Sequence, residues 1–214
     1  MWGAGLGGGE LLKAARTLGS DVPYFLTGGP ALGLGRGDLV APLNLRLTKS
    51  VVLVPGNGGV STAAVFGRFA ATAKTAGGRS RIETFLLSRA GETTRKPREL
   101  STLRNELERA ASAENPALGA RGHSLRRLGR SAGACHVAMS GSGSCFFLLF
   151  NEAARVPPAI AALRACGILC VRTAFVSRRE YARRFEIATE RRSSSPGRAW
   201  KRATHFFAKL EALS

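Results

Sequence analysis

Apolar residues recur along this chain in short blocks cut by glycine, proline and arginine, and the period of each block predicts an element. Leu11, Leu12, Ala14, Ala15 and Leu18 share one face of a helix over 10–18, which Gly19 stops. Tyr24 to Leu26, Ala31 to Leu34 and Leu39 to Leu43 are short runs set off by Gly28-Gly29, Gly35-Arg36-Gly37 and Pro42, and they predict a small strand meander. Val51-Val52-Leu53-Val54 is a continuous apolar run ended by Pro55-Gly56-Asn57-Gly58-Gly59, the pattern of a buried strand entering a loop. Ser61 or Thr62 then caps a helix through Phe69, residues 71–100 are assigned mostly to loop, and Ser101 to Ala111 is helical by pattern. Cys135 to Met139 and Cys145 to Phe150 are strands joined by the turn Ser140-Gly141-Ser142-Gly143-Ser144, whose glycines leave little side chain for packing. A proline-led helix over Pro157 to Leu163 and a final strand over Ile168 to Val176 complete an α+β pattern, an open antiparallel sheet backed by helices.

At 214 residues with 44% hydrophobic content, the chain is long enough to bury a core. No apolar run approaches the ~20 residues of a membrane-spanning helix, and the first residues have neither a basic region nor an apolar one, so a cytoplasmic protein is expected. Cys135, Cys145, Cys166 and Cys170 are too few and too irregular for a disulfide framework or a zinc site, and His123, His136 and His205 are scattered. The net charge of +18 is mostly arginine. Such a balance suits a polyanionic partner, nucleic acid or a nucleotide diphosphate, but an arginine-rich composition also arises without any partner. Beyond Val176 arginines crowd into a basic tail over 178–214, where Trp200, Phe206, Phe207 and Leu210 fit one face of an amphipathic helix.

Two glycine-rich loops point to phosphate. Gly5, Leu6, Gly7, Gly8 and Gly9 run straight into the first predicted helix, where residues without Cβ let backbone N–H groups converge on oxygen atoms and the helix adds its positive end. Glu10, immediately after, works against an anion there. Ser140, Gly141, Ser142, Gly143 and Ser144 form either a tight turn or a close approach for a ligand. The chain has only two aspartates, Asp21 and Asp38. Asp21, in Leu18-Gly19-Ser20-Asp21-Val22-Pro23-Tyr24-Phe25, reads either as a turn or helix-cap residue or as a base that orients and deprotonates an attacking hydroxyl.

These motifs, together with Gly35-Arg36-Gly37-Asp38, Val60-Ser61-Thr62-Ala63-Ala64-Val65-Phe66 and Asn105-Glu106-Leu107-Glu108, stand in the order found in the GHMP kinase superfamily. Over roughly residues 3–176 the chain resembles the kinases of 4-diphosphocytidyl-2-C-methyl-D-erythritol within it. The resemblance implies an incomplete ribosomal-protein-S5-like N-terminal part, a remnant of the ATP-binding domain, over 1–46. It implies a ferredoxin-like C-terminal domain over 47–177. It also implies ATP- and Mg2+-dependent phosphorylation of the 2-hydroxyl of the cytidine-diphosphate methylerythritol, a step of non-mevalonate isoprenoid biosynthesis. On that pattern Asp21 is the catalytic aspartate, Gly5 to Gly9 the ATP loop, Thr62 and Phe66 the substrate side, and Ser140 to Ser144 the supporting glycine loop; no protein metal ligand is expected.

The same family pattern places a lysine-bearing strand and a Tyr-His motif ahead of the first glycine loop, and a Ser-Ser-containing helix after it. None of the three is in this sequence, so an N-terminally truncated member is expected. Three readings therefore stay open: a kinase, a catalytically silent truncated relative, and a basic protein binding nucleic acid or an anionic surface.

Overall fold

A computed structural model describes residues 8–43, 47–73 and 104–190. The chain divides into two units, one of residues 1–47 with 175–214 and the other of residues 48–174.

In the first unit, helix α1 (Gly8–Leu18) gives way at Gly19 to helix α2 (Val22–Thr27), then to strands β1 (Ala31–Leu34) and β2 (Leu39–Pro42), and helix α7 (Arg178–Glu190) belongs to the same unit. The strands pair antiparallel with Ala31 opposite Pro42 and Leu34 opposite Leu39. Tyr24 to Leu26, expected as a strand, is helical. Pro23 in the first turn supplies the fixed φ that a helix start requires, Pro23 and Thr27 are buried one turn apart, and the Thr27 hydroxyl donates to the Pro23 carbonyl. Gly28, at φ 63°, then ends the helix as few other residues would.

The start of the expected basic tail is structured. Arg178 donates to the carbonyl of Pro30 at 3.0 Å and the Tyr181 hydroxyl to that of Phe25 at 2.7 Å, which ties α7 to the α2–β1 corner. The Tyr181 ring occupies the space where a Cβ on Gly28 would project, 2.2 Å away. The pattern of the amphipathic stretch from Trp200 to Leu210 falls outside the described residues.

The second unit is an antiparallel four-stranded sheet with order β4-β5-β3-β6, where β3 is Ser50–Val54, β4 His136–Met139, β5 Phe146–Phe150 and β6 Val171–Ala174. Central β3 pairs with β5, Val52 opposite Leu148, and with β6, Val52 opposite Arg172. The expected open antiparallel sheet backed by helices is present, with β6 shorter than the run Ile168 to Val176 suggested. Helices α3 (Thr62–Ala73), α4 (Leu107–Glu114), α5 (Pro116–Ser131) and α6 (Val156–Ala165) supply the rest of the core. Helix α4 begins six residues later than the start expected at Ser101, and residues 74–103 lie outside the described set.

Helix α5 has no counterpart among the elements expected from sequence. Its glycines lower helix propensity by roughly 1 kcal/mol each relative to alanine, which hides it from a pattern reading. Packing reverses the balance: Leu118, Gly122, Leu125 and Gly129 form its buried face. A Cβ on Gly122 would meet the Phe146 ring at 3.1 Å, and one on Gly129 would meet Val137 and Leu148 within 2.9 Å. The glycines bring helix and sheet together so that Phe146, Leu148 and Phe150 are fully buried, each contributing on the order of 1.5–3 kcal/mol. Asn115 caps the helix by accepting from the amides of Ala117 and Leu118.

Candidate active site

In the first unit, Gly8 and Gly9 form the opening turn of α1, an eleven-residue helix, while Gly5, Leu6 and Gly7 precede the described residues. Among the described residues, nothing lies within 4 Å of where a Cβ on Gly9 would stand. Glu10 lies in the same turn.

Asp21 stands at the residue before α2, with helical backbone angles, and its side chain makes no capping hydrogen bond. Asp21 thus occupies the turn and N-cap position that one of its two sequence readings expected, without a side-chain capping bond. Its carboxylate is exposed, and among the described residues it has no hydrogen-bond or ion-pair partner. The other aspartate has a structural place: Asp38 pairs with Arg36 at 4.0 Å across the β1–β2 turn, and its carbonyl accepts from Arg16.

In the second unit, three segments converge on the Ser140–Ser144 turn. The hydroxyls of Thr62 and Ser142 are hydrogen-bonded at 2.9 Å, which joins the N-terminus of α3 to the turn. Ser144 donates to the carbonyl of Gly58 at 2.6 Å, joining the loop after β3. Gly56 in that loop lies so close that a Cβ there would fall 1.8 Å from the Ser144 Oγ. Phe66, one turn along α3 from Thr62, is 52% exposed, an aromatic ring left to the outside of a helix that otherwise buries Val65. The glycines, expected to leave little side chain for packing, are closely flanked: a Cβ on Gly143 would fall 3.0 Å from the Met139 sulfur and 3.2 Å from Leu118.

Two residues of this cluster escaped the candidate site residues read from sequence. Asn105 donates from one amide nitrogen to the carbonyls of Met139 at 3.0 Å and Gly141 at 2.7 Å, and its own oxygen accepts from the Leu107 amide. It thus holds the glycine turn while starting α4. Arg121 of α5 donates to the Pro55 carbonyl at 2.7 Å and fixes the other loop. The Asn105-Glu106-Leu107-Glu108 motif was a signal for the first; an arginine among many gives none for the second.

The C-terminal domain model of the GHMP kinases matches residues 82–169. A 4-diphosphocytidyl-2-C-methyl-D-erythritol kinase of Salinispora arenicola is 39% identical over 176 residues, covering 78% of this chain and 53% of the relative. Its counterpart in Cutibacterium acnes is 40% identical over 147 residues, covering 67% and 45%. A crystal structure of 4-(cytidine 5'-diphospho)-2C-methyl-D-erythritol kinase superposes with a TM-score of 0.54 at 32% identity, covering 76% of this chain and 55% of that one. The chain belongs to the GHMP kinase family. It spans about half the length of the curated relatives it matches. As a GHMP kinase chain it is the expected α+β fold; its glycine turn falls within the matched residues 82–169, while Thr62 and Phe66 precede them in the same unit. Among the described residues no helix is long and apolar enough to cross a membrane.

Proposed function

We propose that this chain acts in ATP-dependent transfer of a phosphoryl group to the 2-hydroxyl of 4-diphosphocytidyl-2-C-methyl-D-erythritol, a step of isoprenoid biosynthesis. The observation that carries this reading is the 39% identity to a kinase of that name, extending over 78% of the chain. Asp21 is the base: its carboxylate, exposed and unpartnered among the described residues, takes the hydroxyl proton as the oxygen attacks the γ-phosphorus. The bond from that phosphorus to the bridging oxygen breaks, ADP leaves, and the proton passes from Asp21 to solvent.

Gly5, Leu6, Gly7, Gly8 and Gly9 cradle the ATP phosphates. The N-terminus of α1 suits an approaching phosphate through backbone N–H groups and the helix dipole. Bound with the nucleotide, Mg2+ supplies charge neutralisation on the transferring phosphoryl group. No three His, Cys, Asp or Glu side chains gather for a metal among the described residues. The ion would be held by the ATP phosphates and water, and Asp21 is kept for the proton. Thr62 and Phe66 line the substrate side, the ring offering a stacking face to the cytosine. Ser140, Gly141, Ser142, Gly143 and Ser144 support that side through the bonds to Thr62 and Gly58.

Product identity tests the reading. Phosphorus NMR of the chain incubated with ATP, Mg2+ and the cytidine-diphosphate methylerythritol should show a new phosphomonoester on C2 of the erythritol unit. Transfer to another hydroxyl, or only ATP hydrolysis, would refute the assignment.

A further inference from the structure

The chain leaves β3 at Pro55 and reaches α3 at Thr62 through Gly56-Asn57-Gly58-Gly59, residues whose own side chains do little to place them. All four are exposed, and among the described residues nothing lies within 4 Å of where a Cβ on Gly58 or Gly59 would stand. Val60, at the far end, packs against the core. At the near end Arg121 of α5 donates to the Pro55 carbonyl at 2.7 Å. That bond fixes the peptide plane through which the loop departs, and with it the path toward Gly56 and Gly58.

Stability gives little reason for an arginine there. Its other terminal nitrogen, Nη1, is buried without a hydrogen-bond partner among the described residues. Glu108, whose carboxylate comes within 3.2 Å of where a Cβ on the neighbouring Gly122 would stand, is bonded to Arg126 instead. A charged donor left buried and unmet offsets much of what the bond to Pro55 contributes. What the arginine secures is a position. Gly56 lies against Ser144, Ser144 donates to the Gly58 carbonyl, and Ser142 of the same turn is bonded to Thr62. Leu118, one turn before Arg121 on α5, flanks Gly143. One helix therefore abuts both the loop and the glycine turn, and the path of the loop governs whether Ser144, and through the turn Thr62, keeps its place.

We propose that Arg121 is a positioning residue for the cytidine-diphosphate substrate: through Pro55 it holds the Gly56–Gly59 loop against the Ser140–Ser144 turn and so keeps the substrate side in its binding arrangement. This role rests on Thr62 and Phe66 forming the substrate side, and not on Asp21 as the base.

Isothermal titration of the full chain with the cytidine-diphosphate methylerythritol, without ATP, tests it, because binding is read without turnover. Arg121→Met, which keeps the stem and removes the donors, should weaken binding at least about tenfold. Arg121→Lys, which restores one charged donor for the single bond to Pro55, should recover affinity to within about threefold of the native chain. Arg127→Met, which removes the same charge from an exposed position of the same helix, should change it less than about twofold. Hydrogen exchange at Gly58 and Gly59 should rise in Arg121→Met and not in Arg127→Met. Ser144→Ala, a smaller change that cuts the same loop from the turn, should weaken binding at least about threefold, and circular dichroism checks the fold of each variant. Unchanged binding in Arg121→Met or Ser144→Ala, an equal loss in Arg127→Met, no recovery in Arg121→Lys, or no binding by the native chain would overturn this role. Native binding without a phosphorylated product would refute the phosphoryl transfer and leave the role of Arg121 standing.

Discussion

Replacing Gly56 by alanine should disrupt the second unit's loop cluster. The added Cβ would lie 1.8 Å from the Ser144 Oγ, 2.8 Å from its Cβ and 3.0 Å from its carbonyl carbon. The hydroxyl alone could swing aside; the Cβ and backbone carbon cannot move without shifting the turn. Backbone strain plays no part, since Gly56 is not among the positive-φ glycines. Overpacking of this kind costs about 1–3 kcal/mol, while a glycine-to-alanine change in the unfolded chain returns about 0.4–1. A net destabilisation of about 1–2 kcal/mol follows. Urea unfolding of Gly56→Ala, Ser144→Gly and the double variant would measure it. Ser144→Gly loses the bond to the Gly58 carbonyl, about 1 kcal/mol, but opens the space. The two losses should therefore be less than additive by about 1 kcal/mol or more. Additivity within about 0.5 kcal/mol would refute the idea that the two loops are locked by contact at these positions.

Other consequences follow from the same geometry. Asn105→Ala should cost about 1–3 kcal/mol by removing the donor to Met139 and Gly141; Asn105→Asp, which keeps only the acceptor for the Leu107 amide, should be no better in urea unfolding. Gly28→Ala meets both a φ of 63° and the Tyr181 ring, so hydrogen exchange should rise in α7, and the effect should shrink in a Tyr181→Ala background. The His136 pKa is lowered in the folded chain, so the unfolded chain takes up its proton first. Stability from this group is full above about pH 6.5 and falls as pH drops below that value toward the folded pKa, and His136→Asn should flatten that limb of a pH–stability curve.

The strands of the second unit were legible because Val51 to Val54 and Phe146 to Phe150 are apolar runs bounded by glycine and proline, and burial on both faces demands such runs. Helix α5 was not, because Gly122 and Gly129 argue against a helix locally and act only through contact with Phe146, Val137 and Leu148. Tyr24 to Leu26 misled for a related reason: three apolar residues carry no period, and Pro23 and Thr27 decide the matter through burial. Among the candidate residues, Asp21 stood out in the sequence by rarity and Ser140 to Ser144 by repetition. The residues that hold the glycine turn and the loop after β3, Asn105 and Arg121, act through backbone carbonyls distant in sequence, which no local pattern encodes.

The central claim is that Asp21 serves as the base of a phosphoryl transfer. The direct measurement is ADP release by the folded chain with ATP, Mg2+ and the cytidine-diphosphate methylerythritol, run beside Asp21→Asn. The account predicts substrate-dependent release that falls about 10²–10⁴-fold in the variant, the usual contribution of a general base. Release unchanged by the substitution, or none from a chain shown to be folded, would contradict it.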